Sequence, residues 1–439
     1  MQKHHVVWTI LCIALAAPSV AAAAPDPLLA QQWALAAPAI GAGEAWTQSS
    51  GAGVLVAVLD TGVQLDHPDL AGAVWTNPGE VAGNGRDDDS NGIVDDVRGA
   101  NMLDLSANVA DDNGHGTHVA GIVAARQANG IGGSGLAHGA RILPVKVLDA
   151  TLAGNTDALA RGIRYAVDEG ARILNVSVNT DTSTYPVKDA VRYAGQQGAI
   201  IVASAGNNGR NIDLLASYPA SLSLTEPAIL SVAATTSAGR LWSLSNTGLL
   251  AVDIAAPGEH IVSTRNGSAY ESRNGTSAAA PFVAASLALL AAARPDLPMS
   301  ALRDTLVDTT RRSDLLASLL GGGSLDVGAA MHRLRSGTAW RSASPVGETA
   351  GPTLRLRTAS RTRAGSRATL RWSTTGAGAV TRWRVSLNHR VVATVSAARR
   401  GVSRRMRRTG THRWRVVGFA ADGTKVVSAQ RSFKVIRRR

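Results

Sequence analysis

The sequence predicts an α/β domain, built on a doubly wound and mostly parallel sheet, followed by a small all-β sandwich domain. Three observations support this. Between residues 25 and about 335, short continuous apolar runs alternate with amphipathic helical runs. After residue 353 the apolar pattern changes to period two, with turn residues at short spacing. The charge balance also changes near this point, which indicates two domains with different partners.

The first 24 residues form a predicted signal peptide. Lys3 and two histidines precede the apolar run VVWTILCIALAAPSVAAAA, which ends in small residues. We expect cleavage between about Ala22 and Ala24, and therefore secretion. The run is too short to favour a membrane-spanning helix, and we expect no transmembrane segment elsewhere. The single cysteine, Cys12, lies within this run, so the mature protein would contain no disulfide.

Residues 25–335 contain five predicted strands, which are GVLVAVLDTG, ARILPVKVL, RILNVSV, AIIVASAGN and AILSVAAT. Continuous apolar strands suit a parallel sheet that is buried on both faces. The predicted helices between and after them are THVAGIVAARQ, DALARGIRYAVDEG, VKDAVRYAGQQG and the run that follows RNGTS. In such sheets, catalytic groups gather at the carboxyl ends of the strands. Asp60 and Asn207 stand at strand ends of this kind.

Four polar residues stand where they could act together. Asp60 lies in VLDTGV, His115 in NGHGTH, Asn207 in the glycine-flanked turn of ASAGNNG, and Ser277 at the helix start GTSAAAP. A serine hydroxyl needs a base to take its proton, and the base needs a carboxylate to fix its tautomer. A side-chain amide can donate to the oxyanion that forms. The pattern therefore predicts nucleophilic catalysis by Ser277.

Two of these residues have alternative interpretations. Ser277 stands at a helix N-terminus, where serine commonly caps the helix by accepting a backbone N–H. His115 and His118 have the HxxH spacing of a zinc pair, although HExxH is absent and no third ligand is obvious. We expect His118 instead to be a packed helix residue or to lie behind the base.

The motifs DTG, HGTH and GTSAAAP, in the chain order Asp, His, Ser, resemble those of the subtilases, the subtilisin-like serine peptidases. The likeness covers roughly residues 28 to 335. It implies a subtilisin-like fold and a secreted serine endopeptidase that cleaves polypeptide substrates through an acyl-enzyme. It also implies that Asp60 orients the base His115, that Ser277 attacks, and that Asn207 binds the oxyanion with the Ser277 N–H. The alternative is an inactive subtilase-fold binding or adhesion protein that acts through its basic C-terminal domain.

The same resemblance implies where a substrate would lie. An extended peptide would pair with LNVSVNT, at Ser177, Val178 and Asn179. Asn179 stands where glycine is usual, which puts the shape of the S1 entrance in question. Gly206 and Asn208 flank the oxyanion asparagine, and the neutral Asn208 stands where the base of S1 is expected. We therefore predict apolar or uncharged P1 side chains.

The acidic segment GNGRDDDSNGIVDD, residues 83–96, resembles the start of a calcium loop because side-chain oxygens alternate before a glycine. The glutamate that ends an EF-hand loop is replaced by Arg98, so we expect a subtilase-type calcium insertion instead. The ion would be structural, and we expect no organic cofactor. The alternative is a solvated acidic turn. The candidate ligands are Asp87, Asp89, Asn91, Asp95 and Asp96.

Residues 336–353, SGTAWRSASPVGETAGPT, are a predicted linker between the catalytic domain, 25–335, and a basic domain, 354–439. From Trp340 to Arg439 there are 24 lysines and arginines but two acidic residues, whereas residues 1–339 carry 21 basic and 30 acidic residues. Arginines alternate in LRLR, RWRV and HRWRV, so we predict an immunoglobulin-like sandwich with one arginine-rich face.

Such a face would bind a polyanion, which could be envelope lipid phosphates, an acidic cell-wall polymer or extracellular nucleic acid. Trp372, Trp383 and Trp414 are interleaved with the arginines. The alternative is that the tryptophans form the core and that a GC-rich coding bias places arginine on the surface. We expect a monomer.

Overall fold

The computed structural model describes residues 24–313, 316, 320, 322–336, 353–357, 361–363, 366–375, 380–387, 390–396, 398–406, 409–419 and 425–436. The predicted signal peptide lies outside the described residues except for its last residue. The predicted linker lies outside them except for its first and last residues. Both remain predictions.

The first domain contains seven strands: β1 Leu55–Asp60, β2 Ala100–Asn101, β3 Arg141–Lys146, β4 Ile173–Val176, β5 Ile200–Ser204, β6 Ile229–Thr235 and β7 Ile254–Pro257. They form one sheet in the order β2-β3-β1-β4-β5-β6-β7, and every neighbouring pair is parallel. The predicted strands are β1, β3, β4, β5 and β6. The sequence missed β2 and β7, which are short and lie at the two edges.

The helices of this domain are α1 Ala42–Trp46, α2 His115–Ala124, α3 Thr156–Asp168, α4 Tyr185–Gln196, α5 Thr276–Ala293, α6 Met299–Asp308 and α7 Val327–Arg335. The buried side chains of α2 and α5 pack on one face of the sheet, and those of α3 and α4 pack on the other. The domain is therefore doubly wound, as predicted. Among the described residues, α5 alone is long and apolar enough to cross a membrane, but 78% of it is buried within the protein.

The strand order determines where on the sheet the candidate site lies. The chain runs from β1 to β3 on one side and continues from β4 to β7 on the other, so the direction of winding changes beside β1. Parallel α/β sheets bind their ligands at the carboxyl ends of the strands near such a point. Asp60 ends β1, Ser177 follows β4 and Asn207 follows β5. A hairpin of β8 Ile261–Arg265 and β9 Ala269–Arg273 leads from the sheet into α5.

The second domain contains strands β10 Thr353–Arg357, β11 Arg361–Arg363, β12 Arg367–Thr375, β13 Arg382–Leu387, β14 Arg390–Ser396, β15 Gly401–Arg405, β16 Gly410–Phe419 and β17 Lys425–Ile436. They form a three-stranded sheet, β10-β12-β15, and a five-stranded sheet, β11-β17-β16-β13-β14. The pairs are antiparallel except for β11 with β17. Side chains from both sheets share one core that includes Trp372, Trp383 and Trp414. The all-β prediction is confirmed, and the tryptophans lie inside the sandwich.

Candidate active site

Asp60 and His115 are in direct contact. Asp60 is fully buried at the end of β1, and His115 is the first residue of α2. His115 Nδ1 lies 2.6 Å from Asp60 Oδ1, which also accepts the Thr61 N–H at 2.8 Å. Burial alone would lower the pKa of His115, but the charge and hydrogen bond of Asp60 outweigh it and raise that pKa. Asp60 therefore fixes the ring and stabilises its protonated form.

A glycine allows this contact. A Cβ on Gly116 would lie 2.0 Å from the carbonyl oxygen of Gly62, which is too close for any side chain to be accommodated. The first turn of α2 can therefore reach the end of β1 only because Gly116 has no side chain. This explains why the histidine of HGTH is followed by glycine.

Ser277 is the second residue of α5. The helix begins after Gly275, whose φ of 144° is one that favours glycine. The Ser277 hydroxyl donates to the carbonyl oxygen of Ser177 at 3.2 Å, and the Ser177 hydroxyl donates to the carbonyl oxygen of Ser277 at 3.1 Å. Ser277 thus acts as a donor here and accepts no helix N–H among the contacts of the described residues, which does not fit the capping alternative.

The side-chain amide of Asn207 is held by Thr276. Asn207 Oδ1 accepts the Thr276 N–H at 2.9 Å and the Thr276 hydroxyl at 2.8 Å. The hydroxyl of Thr276 in turn accepts the Gly206 N–H at 3.0 Å. With its oxygen so engaged, the amide of Asn207 directs its Nδ2 donor elsewhere, and Asn207 lines the cleft. The sequence analysis did not identify Thr276, although it stands next to the serine.

These side chains meet in a cleft of about 470 Å³. Its lining includes His115, His118, Asn207 and Ser277, together with the predicted substrate segment Ser177, Val178 and Asn179, and with Leu148, Leu152 and Arg273. Gly206 and Asn208 are not part of the lining. The Asn208 N–H donates to the side-chain oxygen of Asn246 at 3.1 Å. Asn179 folds back toward β5, where its Nδ2 donates to the carbonyl oxygen of Ser204 at 2.7 Å.

His118 lies behind the base and is 1% exposed. Its Nε2 lies 3.0 Å from the carbonyl oxygen of Ile261, so this nitrogen carries the proton and donates. Burial lowers the pKa of His118 to about 3, and the charge of Arg273 adds to the effect. The ring is therefore neutral at ordinary pH. Its Nε2 is occupied by a backbone contact, which does not fit the zinc-pair alternative.

Asp111 is a further residue that the sequence analysis missed. Its carboxylate accepts the Thr61 hydroxyl at 2.8 Å, the Gly114 N–H at 2.8 Å and the Thr117 hydroxyl at 2.6 Å. Burial would raise the pKa of Asp111, but these hydrogen bonds together lower it. The ionised carboxylate thus ties the end of β1 to the start of α2. The available signal was an aspartate four residues before the histidine of HGTH.

Comparison with known proteins identifies the family and the fold. The model of the subtilase family matches residues 51–329. The chain belongs to the subtilase family. It is 39% identical over 252 residues to "Thermitase" of Thermoactinomyces vulgaris, covering 57% of this chain and 80% of that one. It is 39% identical over 248 residues to the "Thermophilic serine proteinase" of Bacillus sp. (strain AK1), covering 56% of this chain and 54% of that one.

Two further similarities cover more of this subtilase. An "Extracellular protease" of Xanthomonas campestris pv. campestris is 35% identical over 314 residues, which is 66% of this chain and 53% of that one. A solved protease structure from Pseudoalteromonas arctica superposes with a TM-score of 0.59 at 26% identity. It covers 71% of this chain and 99% of its own chain.

The acidic loop of this subtilase places Glu80, which was not among the predicted ligands, beside two residues that were. Atoms of Glu80, Asp87 and Asp89 lie within 4.8 Å of one another, in a group suited to a metal ion. Glu80 is 9% exposed. Its Oε1 accepts the N–H groups of Asp88 and Asp89, whereas its buried Oε2 has no hydrogen-bond partner among the described residues. An unpartnered buried carboxylate oxygen beside two other carboxylates fits a cation ligand.

The remaining predicted ligands have other partners. Asp96 is fully buried and accepts the Tyr165 hydroxyl at 2.5 Å and the Asn91 amide at 3.0 Å. Asp95 accepts the backbone N–H groups of residues 84 and 85. Asn91 borders the group of three through its contact with Asp89, and it also donates to Asp96. Asp95 lies outside the group.

Proposed function

We propose that this protein is a secreted serine endopeptidase that hydrolyses peptide bonds through Asp60, His115 and Ser277. The observation that carries the proposal is the 2.6 Å contact of His115 Nδ1 with a fully buried Asp60, in the same cleft as Ser277 and Asn207. The subtilase family supports it, as do the names of relatives that are serine proteinases.

The first half of the reaction follows from these positions. His115 Nε2, on the side of the ring away from Asp60, accepts the proton of the Ser277 hydroxyl, and the Ser277 oxygen attacks the peptide carbonyl. To do so the hydroxyl leaves the carbonyl oxygen of Ser177 and turns toward His115. Asp60 stabilises the imidazolium that results. The imidazolium then protonates the leaving amine, which departs as the acyl-enzyme forms.

The second half repeats the first with water. His115 takes a proton from a water molecule, which attacks the acyl carbon, and returns it to Ser277 as the acid product leaves. In both halves negative charge develops on the carbonyl oxygen of the substrate. The Asn207 Nδ2 and the Ser277 N–H donate to it, and the positive end of the α5 helix dipole favours negative charge there. The bonds from Thr276 hold the Asn207 amide in position beforehand.

An extended substrate peptide would lie beside the substrate segment, residues 177–179. Asn179 narrows the entrance next to β5 by its contacts with Ser204. The cleft wall at Leu148, Leu152 and Val178 is apolar, and among the described residues no carboxylate is part of its lining. These features favour apolar or uncharged P1 side chains.

A structural calcium ion in the acidic loop belongs to the same proposal. Glu80, Asp87 and Asp89 would hold it, with Asn91 and Asp96 beside them. The ion would supply positive charge where several carboxylates repel one another. The carboxylates themselves order the loop, because Asp87 also accepts the Gly92 N–H at 2.8 Å.

The basic domain, residues 354–439, would hold the enzyme on an anionic surface outside the cell. Its excess of arginine and the extracellular nature of the named relative from Xanthomonas support this arrangement. Most of its described arginines are exposed, while the tryptophans are buried.

A fluorophosphonate serine probe tests the proposed chemistry. We expect the purified protein, supplied with calcium, to be labelled, and the Ser277→Ala variant not to be labelled. If neither folded protein is labelled, the peptidase proposal fails and the binding-protein alternative gains support. Labelling that persists in Ser277→Ala would assign the nucleophile to another residue.

A further inference from the structure

We propose that the outer face of the three-stranded sheet, β10-β12-β15, binds the surface of an anionic phospholipid bilayer. This rests on the anionic-surface role proposed above and narrows it to one face and one partner. It does not depend on the peptidase activity. We call this surface the arginine face and define it by Arg367, Thr369 and Arg371 of β12 and Ser403 and Arg405 of β15.

The alternation of β12 separates this face from the core. Arg367, Thr369 and Arg371 are exposed. The residues between and after them are buried, at 1% exposed for Ala368, 0% for Leu370 and 3% for Trp372. Because successive side chains of a strand point to opposite faces, the arginines share the side that faces solvent.

The register between strands concentrates the charge. Arg367 is paired with Arg405 of β15, and both side chains are exposed. Like charges directly opposite each other on neighbouring strands are destabilising. Residues 354–439 contain one acidic residue, Asp422, to set against them. A dense array of phosphates would reduce this repulsion, so the pattern fits a polyanionic partner.

The shape and chemistry of the face favour a bilayer surface over a nucleic acid. Single-stranded nucleic acids bind through bases stacked on aromatic side chains, but Trp372, Trp383 and Trp414 are all buried in the sandwich. Duplexes are read by an element that enters a groove, whereas this face is a sheet of short side chains and arginines. Next to Arg367 and Arg371, the hydroxyls of Thr369 and Ser403 are 2.9 Å apart, with Thr369 exposed and Ser403 partly exposed. Arginine and hydroxyl donors spread over an exposed sheet face suit an extended layer of phosphate headgroups.

Binding of this kind would be electrostatic and would not penetrate the acyl layer. Among the described residues of the basic domain, Ile436 on β17 is the exposed large hydrophobic residue, and it belongs to the other sheet. Insertion into a bilayer requires apolar side chains on the contacting face. Each basic residue near an anionic membrane contributes about a fivefold increase in affinity, and the effect falls with salt.

The opposite sheet is influenced by acidic residues of the catalytic domain. Arg415 of β16 is partly buried, and the charges of Asp253 and Asp213 in the catalytic domain act on it. Asp213 also acts on Arg384 of β13. The arginine face belongs to the other sheet of the sandwich.

Vesicle sedimentation tests the proposal with the full chain in the Ser277→Ala form, which removes self-digestion. The vesicles are phosphatidylcholine alone or phosphatidylcholine mixed with phosphatidylglycerol. We expect binding to the mixed vesicles that weakens steeply with salt, and no binding to phosphatidylcholine alone. The pair Arg367→Gln with Arg371→Gln should bind about 30-fold more weakly, since each lost charge removes about a factor of five. The matched control is Arg363→Gln with Lys434→Gln, which removes the same charge from exposed positions of the five-stranded sheet.

Several results would overturn this assignment. Absence of binding to mixed vesicles would refute the bilayer, and an equal loss in the control pair would refute the arginine face. Tighter binding to duplex DNA or heparin than to the vesicles, at the same salt, would assign the domain to a soluble polyanion. Fluorophosphonate labelling of the Arg367→Gln, Arg371→Gln variant with Ser277 intact should equal that of the natural sequence. That comparison separates failure of this proposal from failure of the proposed peptidase.

Discussion

Acid should destabilise the fold through His118. This ring is 1% exposed, it donates from Nε2 to Ile261, and its pKa is lowered from 6.5 to about 3 by burial and by the charge of Arg273. The neutral ring is the form that the fold stabilises. As the pH falls below 6.5, the unfolded chain gains a proton at this residue that the folded protein does not, so stability is lost. The stabilisation is fully present above pH 6.5 and is lost down to a pH of about 3.

The magnitude follows from the size of the shift. One pKa unit corresponds to about 1.36 kcal/mol, so His118 should lower the free energy of unfolding by about 2 kcal/mol between pH 7.5 and pH 5. The loss at pH 3 would be about 4 kcal/mol. The measurement is urea unfolding at several pH values in the Ser277→Ala background, with and without His118→Gln. Glutamine retains a donor near Nε2 but does not titrate.

The difference between the two pH dependences is the test, since all other groups are common to both proteins. Between pH 7.5 and pH 5, the free energy of unfolding of His118→Gln should fall by about 2 kcal/mol less than that of its parent, whatever its value at pH 7.5. The matched control is His332→Gln on the exposed side of α7, which should run parallel to the parent. Parallel lines for His118→Gln and its parent would refute the argument that the buried neutral ring links folding to pH.

Three other outcomes follow from the site. Arg273 lines the cleft, and its positive charge acts to lower the pKa of His115. Arg273→Gln should therefore move the acid limb of the kcat/KM profile to higher pH. An unchanged acid limb would show that the charge of Arg273 does not act on His115. Asn207→Ala should lower kcat by about 10²–10³-fold with little change in KM, because its donor acts on the transition state. A raised KM at unchanged kcat would contradict that role. Chelator should lower the Tm of the Ser277→Ala protein by roughly 5 °C if the ion is present at about 100 times its Kd. Glu80→Gln should abolish most of this change in Tm, whereas the exposed control Glu44→Gln should not. An equal effect of chelator on the parent and on both variants would place the ion elsewhere.

Much of the fold could be predicted because the relevant signals are local. Strands β1, β3, β4, β5 and β6 are continuous apolar runs, and this pattern reports a strand buried on both faces. Strand β2 was missed because two residues carry no periodic signal, and β7 was missed because its sequence IAAP has a single large apolar residue and ends in proline. The alternation of β12 likewise predicted which of its residues would be exposed. The burial of the tryptophans agrees with the alternative interpretation, in which they form the core, rather than with their exposure beside the arginines to bind a polyanion.

Only part of the candidate site could be predicted from the sequence. Asp60, His115, Asn207 and Ser277 could be named because each stands in a short motif that contains glycine. Thr276 and Asp111 could not be assigned a role, because each acts through a hydrogen bond to a residue distant in sequence or across a turn. Glu80 was missed because it stands before the acidic run, and only the folded loop brings its carboxylate to Asp87 and Asp89.

The sequence by itself therefore determined the order of the five longer apolar strands and of the helices between them, the four candidate catalytic residues and the charge of each domain. These depend on residue type and on spacing along the chain. The tertiary structure decided which groups meet: the Asp60–His115 contact, the hold of Thr276 on Asn207, the burial that keeps His118 neutral and the register that sets Arg367 opposite Arg405. Hydrogen bonds, desolvation and cross-strand repulsion act over a few ångströms in space, and only the packed sheets and helices fix those distances.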